Sequence, residues 1–353
     1  MDLFPLYDDI GGFPLPENID QVRFEQFYWT AYKALINKRE DDLFEHSGIE
    51  HYFFNPISQA FKHKIKSGLD IINYPQLMDM IIQFLKPIAD YEIEPNLIDP
   101  SKAVIPEMFV IDKIAKEHYN ETGDSLKVKI CITGPIELYI KKHNFTIYLD
   151  LALNFAKSIN SFLKNSIINT KYIETSIVSI DEPSFGYVDL FNVSHDDLIE
   201  IFDKSLEGIG TVNQIHLHSL KQAYIPLQSK KINVLTCEYA SDPTNKIPKK
   251  ELDQYDKFIR VGITRTNIDN IIGGQIEKGK SWDEIKTYNG MLELIDSKER
   301  IKKTLLDAIK LYGDRLKYIG PDCSLQGWQI PEVAYELLER TCEVINEVKK
   351  TYS

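Results

Sequence analysis

Residues 174–183 read E-T-S-I-V-S-I-D-E-P. Ile177, Val178 and Ile180 form a β-branched run of the length of a buried strand, and such residues pack well on a pleated surface. The run then meets two carboxylates, Asp181 and Glu182, and stops at Pro183, which cannot donate to a ladder. A strand that is apolar along its length and charged at its C-terminal end is what a parallel sheet with a site above it requires.

Working outward, similar Val- and Ile-rich runs occur at 126–135 (LKVKICITGP), 212–220 (VNQIHLHSL), 232–240 (INVLTCEYA), 257–265 (KFIRVGITR) and 316–325 (LKYIGPDCSL). Two earlier stretches, YDDIGGFPLP (7–16) and GLDIINYPQL (68–77), bring the number of candidate strands to eight, although Gly and Pro interrupt them. Most are separated by helical patterns; in 333–348, Val333, Leu337, Leu338, Cys342, Ile345 and Val348 fall on one face. Cys342 is expected to be packing. This βα rhythm predicts an α/β fold, a (β/α)8 TIM barrel with an N-terminal helical insertion. The extra length lies mainly in 17–60, rich in aromatic residues and expected to form helices over one barrel end, and in 270–300. No linker, repeat or low-complexity block divides the chain, so residues 1–353 are expected to form a single domain. A doubly wound sheet is the rival, but neither a GxGxxG nor a GxxxxGK[ST] stretch is present.

The totals narrow the function. The chain has 353 residues, 43% of them hydrophobic, and can bury a large core. Its formal net charge of −12, with both signs mixed along the sequence, makes nucleic acid an unsuitable partner. No apolar run approaches the roughly 20 residues that span a bilayer, and the N-terminus lacks the pattern of a signal peptide. The expectation is a soluble cytoplasmic protein. Four cysteines in so long a chain do not make a disulfide framework. A thiol that matters is expected to be reduced and used for chemistry.

In such a barrel the active site lies at the C-terminal ends of the strands. Here those ends carry Asp181-Glu182-Pro183, His216-Leu217-His218, Cys237-Glu238 and Pro321-Asp322-Cys323. Strand alternation turns His216 and His218 to one face, with His218 nearer the mouth. His218, Glu238 and Cys323 offer nitrogen, oxygen and sulfur donors of the kinds zinc takes. The alternative is a hydrogen-bonded core histidine and a buried thiol.

The order of the motifs resembles a known family. DIGGFP (9–14), SGLDII (67–72), ITGPIELYI (132–140), SIDEPSFG (179–186), QIHLHSL (214–220) and GPDCSL (320–325) resemble, in sequence, the TIGSFP, GLD, ITGP, QIDEPAF, IHTHMC and NPDCGL segments of the C-terminal catalytic barrel of cobalamin-independent methionine synthase, including its short archaeal single-barrel versions. The resemblance implies a zinc enzyme moving a methyl group onto a thiol, with methyl-folate or a methyl-corrinoid protein as donor and homocysteine or a related small thiol as acceptor. It places the zinc ligands at His218, Glu238 and Cys323.

The departures are specific. Leu220 stands where the family has its first cysteine ligand. His216 shares the face of His218 and could serve as a fourth ligand, but should lie about two residues deeper. At the positions implied to bind substrate, Gly12 replaces a serine beside Gly11, Gln76 replaces a glutamate, and Asp181 keeps the other carboxylate. Asn267 falls near the position of a histidine proposed as proton donor, with Arg265 close by as a candidate for binding an anionic group. Asp181 and Asn267 are thus the implied catalytic positions. A contrasting expectation, motivated by Leu220 and Asn267, is a non-catalytic barrel that acts as a binding or assembly partner in methyl-transfer metabolism.

Overall fold

The computed structural model of the protein describes residues 4–41, 43 and 46–352. Each of the eight runs holds or overlaps one strand of a single sheet: β1 (Leu6–Tyr7), β2 (Ile72–Asn73), β3 (Leu126–Thr133), β4 (Ile173–Asp181), β5 (Val212–His216), β6 (Val234–Cys237), β7 (Phe258–Thr264) and β8 (Leu316–Pro321). All pairings within this sheet are parallel, and each strand lies beside its neighbours in the chain, with β8 against β1. A parallel bridge between Asp8 and Ile71, extending β1 and β2, joins the remaining edges and makes the sheet a ring. The fold is a (β/α)8 barrel with helices around it.

The first two strands are only two residues long, for reasons visible in their sequences. Gly11 at φ +63° and Gln76 at φ +48° turn the chain out of extended geometry just past each one. Between them, the aromatic segment folds as the helix Gln21–Ile36 and, after a π-helical turn at Glu50–Phe54, the helix Asn55–Lys66. Asp20 caps the first by accepting from the Arg23 N–H. The phenol of Tyr28 on this helix donates to Glu107 on the helix Pro106–Thr122 at 3.0 Å, so the insertion packs on the helix that precedes β3. The 270–300 stretch holds the end of the helix Ile268–Glu277 and the short helices Trp282–Ile285 and Tyr288–Leu292.

The barrel interior changes character along its axis. At the N-terminal end Ile71, Ile177, Val234 and Tyr318, joined by Val212 and Phe258, form a small apolar cluster separate from the main core. Above it the interior is ionic. Lys129 on β3 bonds Asp8 at 2.9 Å, and Arg260 on β7 bonds the other oxygen of Asp8 at 2.5 Å, all three fully buried. Arg260 also donates to the carbonyls of Asp8 and Pro321. This packing needs glycine at 320, where a Cβ would lie 1.8 Å from the Asp8 carbonyl. One sheet row then carries Asp181, His216, Thr236 and Arg260 side by side on adjacent strands, and since paired residues of parallel strands face the same way, all four point inward.

Candidate metal centre

His216, His218, Glu238 and Cys323 converge at the C-terminal mouth of the barrel. One ligand atom from each lies within 4.8 Å of all the others. His216 Nε2 is 3.3 Å from Cys323 Sγ, His218 Nε2 is 3.7 Å from the same sulfur, and His218 Nε2 is 3.5 Å from Glu238 Oε1. A tetrahedral zinc with bonds of about 2.0–2.3 Å has edges between its ligand atoms of about 3.3–3.8 Å. These three edges match that spacing, and the nitrogen, oxygen and sulfur donors are of the kinds such an ion takes.

Each candidate ligand is placed by a strand or by the turn that follows it. His216 closes β5 and is fully buried, and its Nδ1 is 2.6 Å from Thr236 Oγ1 on β6. This suits the tautomer with its proton on Nδ1 toward Thr236, leaving Nε2 as a lone-pair donor. Glu238 follows β6 directly, and Cys323 lies two residues past the end of β8, with its N–H bonded to Thr266 Oγ1 at 3.1 Å. His216 is the more deeply buried of the two histidines, as its position two residues earlier implies, yet its Nε2 still reaches to 3.3 Å from Cys323 Sγ. Tilted strands make position along one strand a poor measure of height along the barrel axis.

Electrostatics fit a cation. Burial lowers the basicity of both imidazoles, further for His216 because His218, Arg260 and Lys129 are near. Neutral imidazole is the ligating form. Burial, with Asp322 nearby, raises Glu238 to about 7, and burial pushes the Cys323 thiol up, with Asp181 and Glu238 adding to it. Asp181 is raised to about 8 by burial and then by Glu137 and Glu238. Acids crowded this way resist ionising together until a cation joins them.

The other candidate positions fall in different places. Asp181 faces the centre, its Oδ1 3.9 Å from His216 Nε2 and without a hydrogen-bond partner. Gln76 is buried at the mouth beside Gly12, whose added Cβ would meet the Gln76 carbonyl at 2.7 Å. Among the described residues, neither amide atom of Gln76 has a partner. Gly11 accepts from Asn73 Nδ2 through its carbonyl, and Gly12 accepts from the Leu325 N–H, which ties this loop to the one carrying Cys323. Arg265 is committed elsewhere: its guanidinium and backbone N–H both bond the buried Asp296. Asn267 caps the helix Ile268–Glu277 by accepting from the Asn270 N–H at 3.1 Å.

Leu220 is 4% exposed and supplies no ligand atom. Its N–H is held at 2.8 Å by the side chain of Asn245, and it lines a cavity of about 270 Å³ together with His218, Glu238 and Lys246. Sequence reasoning did not single out Thr236 or Asp322. Thr236 was legible, since it shares a strand face with Glu238 two residues on. Asp322 accepts from the N–H groups of Ala240 at 3.0 Å and Ser241 at 2.7 Å, fixing the loop that begins at Glu238. It occupies space left by Gly262, where a Cβ would come within 1.9 Å of its Oδ1.

Comparison of the sequence with models of protein families and with curated proteins gives no match. Comparison of the structure does. A vitamin-B12-independent methionine synthase from Shewanella sp. W3-18-1, in complex with selenomethionine, aligns over 99% of both chains with a TM-score of 0.59 and 16% identity. A candidate vitamin-B12-independent methionine synthase from Listeria monocytogenes aligns over 98% of both chains with a TM-score of 0.57 and 12% identity. Over nearly its whole length, the chain folds as these methionine synthase structures do.

Proposed function

We propose that this protein is a zinc-dependent methyltransferase whose acceptor is a small thiol, homocysteine or a close relative, and whose donor is methyl-folate or a methyl-corrinoid protein. The observation that carries this reading is the convergence of His216, His218, Glu238 and Cys323, within 4.8 Å of one another, at the mouth of a barrel shared with methionine synthases. Zinc held there supplies Lewis acidity, which lowers the pKa of a thiol and favours its nucleophilic form.

The chain's own residues do the rest. Thr236 orients His216, while Asp322 fixes the loop that follows Glu238. His218 is 45% exposed at its side chain, against 18% for Glu238, so this edge keeps the centre within reach of a small molecule. Asp181, with an unpartnered oxygen, and Gln76, with an unpartnered amide, are available to orient a polar acceptor. Holding the acceptor sulfur in line with the donor's methyl carbon makes the displacement effectively unimolecular. The Shewanella structure's bound selenomethionine is a methylated selenium counterpart of such a product. The same reading takes the chain as one domain acting in the cytoplasm; among the described residues no helix is long and apolar enough to cross a membrane.

Elemental analysis of protein purified without added metal tests this. About one zinc per chain is expected, and the Cys323→Ser variant should lose it. Leu220 and the helix-capping role of Asn267 favour a second reading, a barrel kept for binding or assembly, which predicts no zinc in either protein and no methylation of thiols.

A further inference from the structure

His218 lies two residues beyond the last paired residue of β5, where the ladder no longer holds the backbone. A half-exposed side chain on an unpaired turn has several rotamers open to it, and a metal site loses affinity when its ligands must be ordered on binding. Something besides the sheet must hold this turn toward Cys323. The structure supplies it in one side chain. Asn245 Oδ1 accepts from the Leu220 N–H at 2.8 Å, and Asn245 Nδ2 donates to the His218 carbonyl at 2.8 Å. One amide therefore grips both ends of the three-residue turn that carries the ligand.

The grip transmits because Asn245 belongs to a loop that is itself fixed. That loop begins at Glu238. It folds on its own backbone, with the Asp242 N–H bonded to the Glu238 carbonyl at 3.2 Å and the Asn245 N–H to the Asp242 carbonyl at 2.9 Å. Its near end is pinned by Asp322, the residue before Cys323. The segment 238–245 thus ties together the strand ends that carry Glu238, Cys323 and His218.

We infer that Asn245 is a positioning residue for the metal centre: through its two bonds to the 218–220 turn it holds His218 in ligating position, so that residue 220 contributes through its backbone although its side chain is no ligand. This rests on the zinc reading above. Asn245 is partly exposed, and truncating it leaves one N–H and one carbonyl near solvent, so the fold should survive.

The test uses the full chain as wild type, Asn245→Ala and Thr244→Ala, the last a neighbour whose hydroxyl bonds only within the loop, to Asp242. Zinc affinity is read by competition with a chromophoric chelator, geometry by the visible spectrum of the cobalt(II)-substituted protein, and integrity by the melting temperature of the metal-free chain. Asn245→Ala should weaken zinc by about tenfold or more and alter the cobalt bands, with the metal-free melting temperature unchanged. Thr244→Ala should match wild type in all three. Wild-type affinity and spectrum in Asn245→Ala would overturn the inference alone. An equal loss in Thr244→Ala would also overturn it, by showing that general loosening of the loop suffices. A wild-type chain that binds neither metal would overturn the zinc reading and this inference with it.

Discussion

At the scale of single residues, the centre turns on His216. Leu220 removes one sulfur from the set that the family resemblance implies, and His216 Nε2 stands 3.3 Å from Cys323 Sγ where a fourth donor is needed. If His216 ligates, His216→Ala should lower zinc affinity far more than the roughly 10–100-fold typical of an outer-shell change. Adding Leu220→Cys to that variant should restore part of the loss, because residue 220 borders the same cavity as His218 and Glu238. Chelator competition on the single and double variants measures both effects, and wild-type affinity in His216→Ala would reduce the imidazole to a hydrogen-bond partner. His218, Glu238 and Cys323 were legible in the sequence because each follows an obvious strand. Arg265 was not: its partner Asp296 lies 31 residues away, and nothing in a one-dimensional pattern marks that pairing. Asn267 followed a local rule instead, since Asn before a helix is a favoured cap.

At the scale of elements, six Val- and Ile-rich runs predicted strands because buried parallel strands are near-continuous apolar segments, and two stretches interrupted by Gly and Pro completed the eight. Their lengths were less legible. The run at 7–16 overlaps a strand of two residues, Leu6–Tyr7, and that at 68–77 holds another, Ile72–Asn73, each followed within four residues by left-handed backbone, at Gly11 and at Gln76. Glycine inside a strand has a different meaning at 262. Its missing side chain admits the Asp322 carboxylate from β8's end, and that carboxylate secures the turn after β6. Gly262→Ala must therefore displace Asp322 or shift the strand, and overpacking of this kind costs about 1–3 kcal/mol. Urea unfolding should show that loss, accompanied by weaker zinc binding. A variant with unchanged stability and metal content would mean that Asp322 relocates without consequence.

At the scale of the molecule, burial keeps acids protonated above their ordinary range, both at the barrel mouth and among the helices outside it. Burial sets Asp181 at about 8, Glu238 at about 7, and Glu107, beneath the aromatic insertion, at about 7. In the unfolded chain these groups titrate near 4, so between about pH 4 and 8 the folded state binds more protons. Their contribution to stability is full below the unfolded values and declines as pH rises through the folded ones. From about pH 6.5, above the range in which the imidazoles of lowered basicity give an opposite slope, to about pH 8.5 the melting temperature of the metal-free chain should fall, while the zinc affinity proposed above, which would draw on ionised Glu238, should rise. A metal-free melting temperature that climbs with pH would contradict the assignment of buried, protonated carboxyls.

The ionic knot at the barrel axis also bears on how the chain is made. Asp8 and Arg260 are 252 positions apart. At ribosomal speeds of about 5–20 residues per second, the guanidinium is synthesised on the order of 10–50 s after the carboxylate it will meet. Lys129, synthesised roughly halfway through that interval, reaches Asp8 first, but the ring cannot close on β1 until β8 follows Arg260, so the knot is completed one cation at a time.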